Sequence, residues 1–173
     1  MKYILILILL ASSLMAEAQI PTLDQLINFR TKSAADLEET LVAKNWKMLE
    51  ANEATDSTRA SMSFGLGMNS YDDKARMFIS YNYSEYSQPN RLSVQINRLS
   101  DYQIYLGRLK ALGFRLRSSK IMDGGLKKVY MGKTNVITIK SISEEDNDIG
   151  SRTITTYHLT IFNIKDYATY FEE

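Results

Sequence analysis

The chain has 173 residues, with 21 Lys and Arg against 20 Asp and Glu, and no cysteine. A net charge of +1 supplies no field that would draw it onto nucleic acid or an anionic bilayer. The missing thiols exclude disulfides, cysteine nucleophiles and cysteine-ligated zinc.

Met1-Lys2 is followed by an apolar run from Tyr3 to Ala11 and then by Ala16-Glu17-Ala18. That order of charge, short apolar stretch and small-residue site predicts a secretory signal peptide over residues 1–18. The run is shorter than the ~20 apolar residues a spanning helix needs. Cleavage would remove Lys2 and Glu17 and leave the net charge unchanged. The mature chain is expected to be periplasmic or secreted, with no membrane span.

Residues 19–32 form an N-terminal segment with a short helix from Leu23 to Phe29. Ser33, followed three residues later by Asp36, predicts a helix start, with Leu37 and Leu41 on one face and a stop at Asn45. Ala60, Met62, Phe64 and Leu66 then alternate with small and polar residues. So do Met77, Ile79, Tyr81 and Tyr83, and after them Leu92, Val94 and Ile96. Ser100, with Gln103 three residues on, predicts a second capped helix through Tyr105 and Leu109 to a stop at Gly113. Phe114 and Leu116, Val129 and Met131, Ile137 and Ile139, and Tyr157, Leu159 and Ile161 continue the period of two. Such alternation marks antiparallel strands with one buried and one wet face.

The two stretches overlay with a shift of 68 residues, as from Trp46 to Phe114, Leu41 to Leu109 and Asn45 to Gly113. The expected fold is α+β: two tandem α-β4 repeats, residues 33–98 and 99–165, followed by a tail over 166–173. One helix can cover one face of its sheet, which predicts two antiparallel sheets, each with an open polar face. This element order resembles the tandem helix-plus-four-strand fold of the beta-lactamase inhibitor protein family. The resemblance covers about residues 30–165, carries no shared motif, and departs from the family in lacking its cysteines. It implies a fold that can grip a protein partner with its sheet faces.

Catalytic chemistry is thinly represented. His158 is the single histidine, and no metal-ligand spacing surrounds it. Acids avoid the expected open faces and collect on helices, in turns and at the C-terminus. Glu144 to Gly150 has the alternating oxygens of a weak Ca²⁺ loop but not the spacing of an EF-hand; a solvated hairpin tip is the favoured reading of it. Phe64-Gly65-Leu66-Gly67 precedes no helix and makes no phosphate loop. No cofactor is expected.

The leading expectation is a non-enzymatic, inhibitor-like binding module with a protein partner and no nucleic acid. Its open faces would present Ser80, Asn82, Gln95 and Asn97 in the first half, and Arg115, Arg117, Lys140, Thr156 and His158 in the second. Arg115 and Arg117, joined by Lys140, offer an electrostatic grip on an acidic partner or anionic glycan. Two rivals remain: a small envelope enzyme pairing His158 with Glu144 or Glu145, and a carrier holding an apolar ligand between sheet and helix.

Overall fold

The computed structural model describes residues 20–55, 58–68, 75–84, 90–146 and 152–171. The expected signal segment, the turns that the sequence predicts at Asn69-Ser70 and Gln88-Pro89, Tyr86, whose ring the sequence allows at a contact rim, and residues 147–150 of the acidic run lie outside them.

Helix α1 (Leu23–Phe29) starts in a capping box: the Gln25 N–H donates to Thr22 Oγ1, and the Thr22 N–H donates to Gln25 Oε1. Helix α2 (Ala34–Val42) starts where Ser33 Oγ accepts from the Asp36 N–H at 3.1 Å. Helix α3 (Leu99–Ala111) departs from expectation. Arg98 occupies the N-cap position without a side-chain bond, and Ser100 lies inside the first turn. Asp101, also in that turn, instead holds Arg76 through two 3.0 Å hydrogen bonds. The anion favours the positive helix end, so the lost serine cap is offset electrostatically. α2 and α3 end alike. Asn45 and Gly113 take left-handed φ of 62° and 80°. The next residues, Trp46 and Phe114, donate back to Leu41 and Leu109 carbonyls at 3.0 and 3.2 Å.

The strands are β1 (Lys47–Asn52), β2 (Ala60–Leu66), β3 (Met77–Tyr83), β4 (Arg91–Ile96), β5 (Arg115–Met122), β6 (Gly125–Met131), β7 (Asn135–Asp146) and β8 (Arg152–Asn163). They form one eight-stranded antiparallel sheet in the order β1-β2-β3-β4-β8-β7-β6-β5, not two sheets. The join is β4 with β8, where Leu92, Val94 and Ile96 face Ile161, Leu159 and Tyr157. Separate sheets would leave two central edges with unpaired backbone groups beside apolar surface. Pairing them satisfies those groups and merges the cores.

Helices α1, α2 and α3 pack on one face of this sheet. Leu26, Leu37 and Leu41 from α1 and α2, and Tyr105 and Leu109 from α3, share one cluster with Phe64, Ile79, Val94, Ile139 and Leu159. Tyr105 is fully buried, and its hydroxyl donates to the Pro21 carbonyl at 2.6 Å. Tyr102 stacks on Tyr157 with ring centroids 4.0 Å apart, fixing α3 to β8. Both edge strands carry a bulge, between Met48 and Glu50 in β1 and between Leu116 and Ser118 in β5.

The other face is open over most of its width. Residues 166–173 were expected to trail away as a tail. Instead Ile164–Phe171 form helix α4, whose Tyr167 packs with Val129, Val136 and Phe162 in a second small cluster. Those three residues alternate with the core-facing Tyr130, Ile137 and Ile161, so they lie on the face away from α1–α3. One corner of the polar face is therefore covered by the chain itself, because its apolar residues there needed a partner.

Candidate functional site: a polar row across the open sheet face

Strand register decides which open-face side chains meet. Gly65 lies opposite Phe78, Phe78 opposite Gln95, and Gln95 opposite His158. His158 lies opposite Lys140, Lys140 opposite Lys127, and Lys127 opposite Lys120. One ladder step away a hydroxyl row runs parallel. Ser63, Ser80 and Ser93 continue into Thr160 and Thr138, and Ser93 Oγ and Thr160 Oγ1 share a 3.1 Å hydrogen bond where β4 meets β8.

The basic end of the first row forms a cleft of about 400 Å³. Lys127, Lys140 and His158 line its floor, Thr138 and Thr160 one flank, and Met122, Asp123 and Ile142 the other. Three lysines directly opposite one another on neighbouring strands repel. Cross-strand pairs of this kind are worth roughly 0.2–1 kcal/mol when favourable, and like charges reverse the sign. Compensation is slight: Lys140 Nζ reaches Asp123 Oδ2 at 3.6 Å, and that carboxylate is 73 % exposed. Among the described residues no ion pair holds Lys120 or Lys127. Burial depresses the His158 pKa, the Lys140 ammonium lowers it further, and Glu144 opposes both. The ring is thus neutral at neutral pH, and its Nε2 lies 3.3 Å from Thr156 Oγ1.

The sequence-expected residues separate into groups. Gln95, Lys140 and His158 stand together in the row. Ser80 belongs to the hydroxyl row, and Asn82 lies farther along the face beside Ser61 and Arg91. Thr156 flanks His158. Asn97 is tied into local structure, donating to the Ala75 carbonyl at 2.8 Å and accepting from Gln95 at 3.1 Å. Arg115 and Arg117 do not join Lys140. They sit on the exposed edge strand β5, opposite Met131 in the case of Arg115, and the bulge takes Arg117 out of the ladder. The alternation that seemed to align them fails because one extra residue breaks the period.

Lys120, Lys127, Thr138, Thr160 and Phe78 were missed as members of the site. Lys127 and Lys128 are consecutive, so composition could not say which faces the open side; Lys128 pairs with Ile139 on the helix-covered face. Tyr102, Tyr130 and Tyr157 are buried and offer no exposed rings.

The rival chemistries find less support. The hydrogen-bond partner of His158 is a hydroxyl, not a carboxylate. Glu144 and Glu145 are successive strand residues on opposite faces; Glu144 shares the face of His158 and acts on it through its charge, while the two carboxylates do not converge on one point. Among the described residues no group of three or more His, Asp or Glu side chains could hold a metal ion. A second cleft of about 470 Å³ lies between the N-terminal segment and α3, lined by Ile20, Pro21, Leu23, Ile104 and Tyr105. It opens beside the exposed Arg108–Asp24 ion pair, not between sheet and helix where a carrier cavity was expected. No helix among the described residues is long and apolar enough to cross a membrane.

No protein-family model matches the chain, and no curated protein or solved structure matches it significantly.

Proposed function

We propose that this chain is an exported, non-enzymatic binding module that captures its partner on the open face of the eight-stranded sheet. The observation that carries the reading is the continuous row that runs from Phe78 through polar Gln95 and His158 to Lys140, Lys127 and Lys120, crossing six strands with none of α1–α3 over it. A face serving only to be wetted gains nothing from opposed lysines; a face that meets an acidic group does. Export rests on the N-terminal charge and apolar pattern.

The module is further read as a duplicated α-β4 unit, in the manner of the inhibitor-like fold. Several features support this at the same shift of 68 residues: left-handed Asn45 and Gly113, the helix-closing bonds of Trp46 and Phe114, and bulges at Leu49 and Arg117. The β4–β8 pairing then lies at the centre of the two units.

The test is retention of native envelope components on immobilised protein. Lys140→Glu is expected to keep the melting temperature and lose retention. The edge pair Arg115→Glu with Arg117→Glu is expected to change it far less. Full retention by Lys140→Glu would overturn the assignment of this face.

A further inference from the structure

The order of side chains along the open face carries chemical information. At strand spacing of ~4.8 Å, Lys120, Lys127 and Lys140 place three ammonium groups over roughly 10 Å at one end of the row. Neutral His158 and Gln95 follow, and the ring of Phe78 stands about 24 Å from Lys120. Alongside run the hydroxyls of Thr138, Thr160, Ser93 and Ser80. A ligand lying across the strands would meet cations at one end, donors and acceptors throughout, and one aromatic face at the other.

Three macromolecular classes could carry the negative charge: protein, nucleic acid and acidic polysaccharide. Protein interfaces draw their cores from aromatic residues, Met and Arg, and are depleted in Lys and Ser. The two rows have the reverse composition: Ser, Thr, Lys, Gln and His, with Phe78 as their one hydrocarbon ring. No arginine stands in either row: Arg91 lies farther along the face beside Asn82, and Arg115 and Arg117 are on the β5 edge. Nucleic acid would require stacking platforms and a strongly basic domain, and the chain carries +1. A hydroxyl-rich chain bearing anionic groups fits what remains. Its hydroxyls pair with Ser, Thr and Gln, its anions with lysine point charges, and its C–H face with Phe78.

We propose that the row from Lys120 to Phe78 is the binding groove for an acidic oligosaccharide, with its carboxylates or sulfates on Lys120, Lys127 and Lys140. The assignment rests on the open face being the capture surface, and it specifies the chemistry captured there. His158 and Gln95 read sugar hydroxyls at the centre of the groove. Thr138 and Thr160 fix the register between the charged and neutral ends.

Calorimetric titration of the full chain tests it with four probes: oligogalacturonate, a heparin-derived oligosaccharide, a neutral glucan oligomer and an oligo-glutamate peptide. Binding of oligogalacturonate or the heparin fragment is expected, with no detectable binding of the glucan. Lys127→Ala with Lys140→Ala should weaken it at least tenfold, and raising salt should weaken it in the wild type. Exposed Lys120→Ala, which perturbs no packing, should weaken it several-fold even if the double variant folds poorly. Ser93→Ala with Thr160→Val should weaken the sugar and leave oligo-glutamate unaffected. Failure of both acidic sugars to bind overturns the proposal, as does equal binding of oligo-glutamate with no sensitivity to the hydroxyl variants. If Lys140→Glu still loses native retention in that case, the capture surface stands and only its ligand class falls. Sugar binding that ignores all three lysines overturns the groove itself.

Discussion

Replacing Arg76 with methionine removes the guanidinium that anchors Asp101 in the first turn of α3. The Asp101 side chain is 2 % exposed and receives two hydrogen bonds of 3.0 Å from Arg76, which is itself 22 % exposed. Removing one member of a buried, hydrogen-bonded pair costs about 3–5 kcal/mol, because the remaining charge keeps its desolvation penalty. At ~2–4 °C per kcal/mol for a domain of this size, the melting temperature should fall by roughly 6–20 °C. Asp101→Leu alone should cost less, since the partly exposed Arg76 can reach water. The double variant Arg76→Met with Asp101→Leu should recover most of the loss, because apolar replacement of a whole buried pair is often neutral. Urea unfolding of the four proteins, analysed as a double-mutant cycle, measures the coupling. An Arg76→Met cost below about 1 kcal/mol, or strictly additive single costs, would show that the pair behaves as a surface salt bridge.

Tyr105→Phe should destabilise by about 1–3 kcal/mol in chemical denaturation, since the Pro21 carbonyl loses its buried donor. Gly125→Ala places a Cβ 2.5 Å from the Ser141 carbonyl oxygen and should cost about 1–3 kcal/mol, with loss of amide protection along β6 and β7. Gly113→Ala, at φ +80°, should cost ~1–2 kcal/mol, whereas Asn45→Gly should be nearly neutral. His158 should titrate below its ordinary value in NMR, with Lys140→Ala moving the midpoint part of the way back, since burial is the larger cause. Its folded pKa is depressed, so the unfolded chain binds more protons as pH falls from about 6.5 toward the folded value. Stability should therefore decline through that window, and His158→Gln should flatten the decline; a midpoint above 6.5 would contradict the burial described.

Much of the local structure was legible because its causes are local. Ser33 with Asp36 announces α2, and Asn45 and Gly113 announce where α2 and α3 turn into strands. Ile79, Tyr81, Leu92 and Val94 alternate because one sheet face is buried. What alternation cannot encode is which edges meet. Val94 and Leu159 look the same whether their strands end two sheets or join one. The α3 start was misplaced because a distant residue, Arg76, competes for that turn. Helix α4 went unread because Tyr167 has its partners in Val136 and Phe162, on a face expected to be bare. The site suffered likewise. Lys140 and His158 were recognisable singly, but Lys127 and Lys120 enter only through register, and the β5 bulge separates Arg117 from a row it seemed to share.

A sheet that does not close on itself leaves spare backbone donors and acceptors along its two outermost strands, where stray extended chains add on and fibrils start. In this fold both borders are spoiled near their beginning. β1 is six residues long and loses its straight run after Met48. β5 is interrupted after Leu116 and studded with Arg115, Arg117 and Lys120. An incoming strand would find only a short stretch of regular spacing on either side, and repelling cations on one. The protein can therefore display a wide polar surface at high concentration without recruiting copies of itself edge to edge.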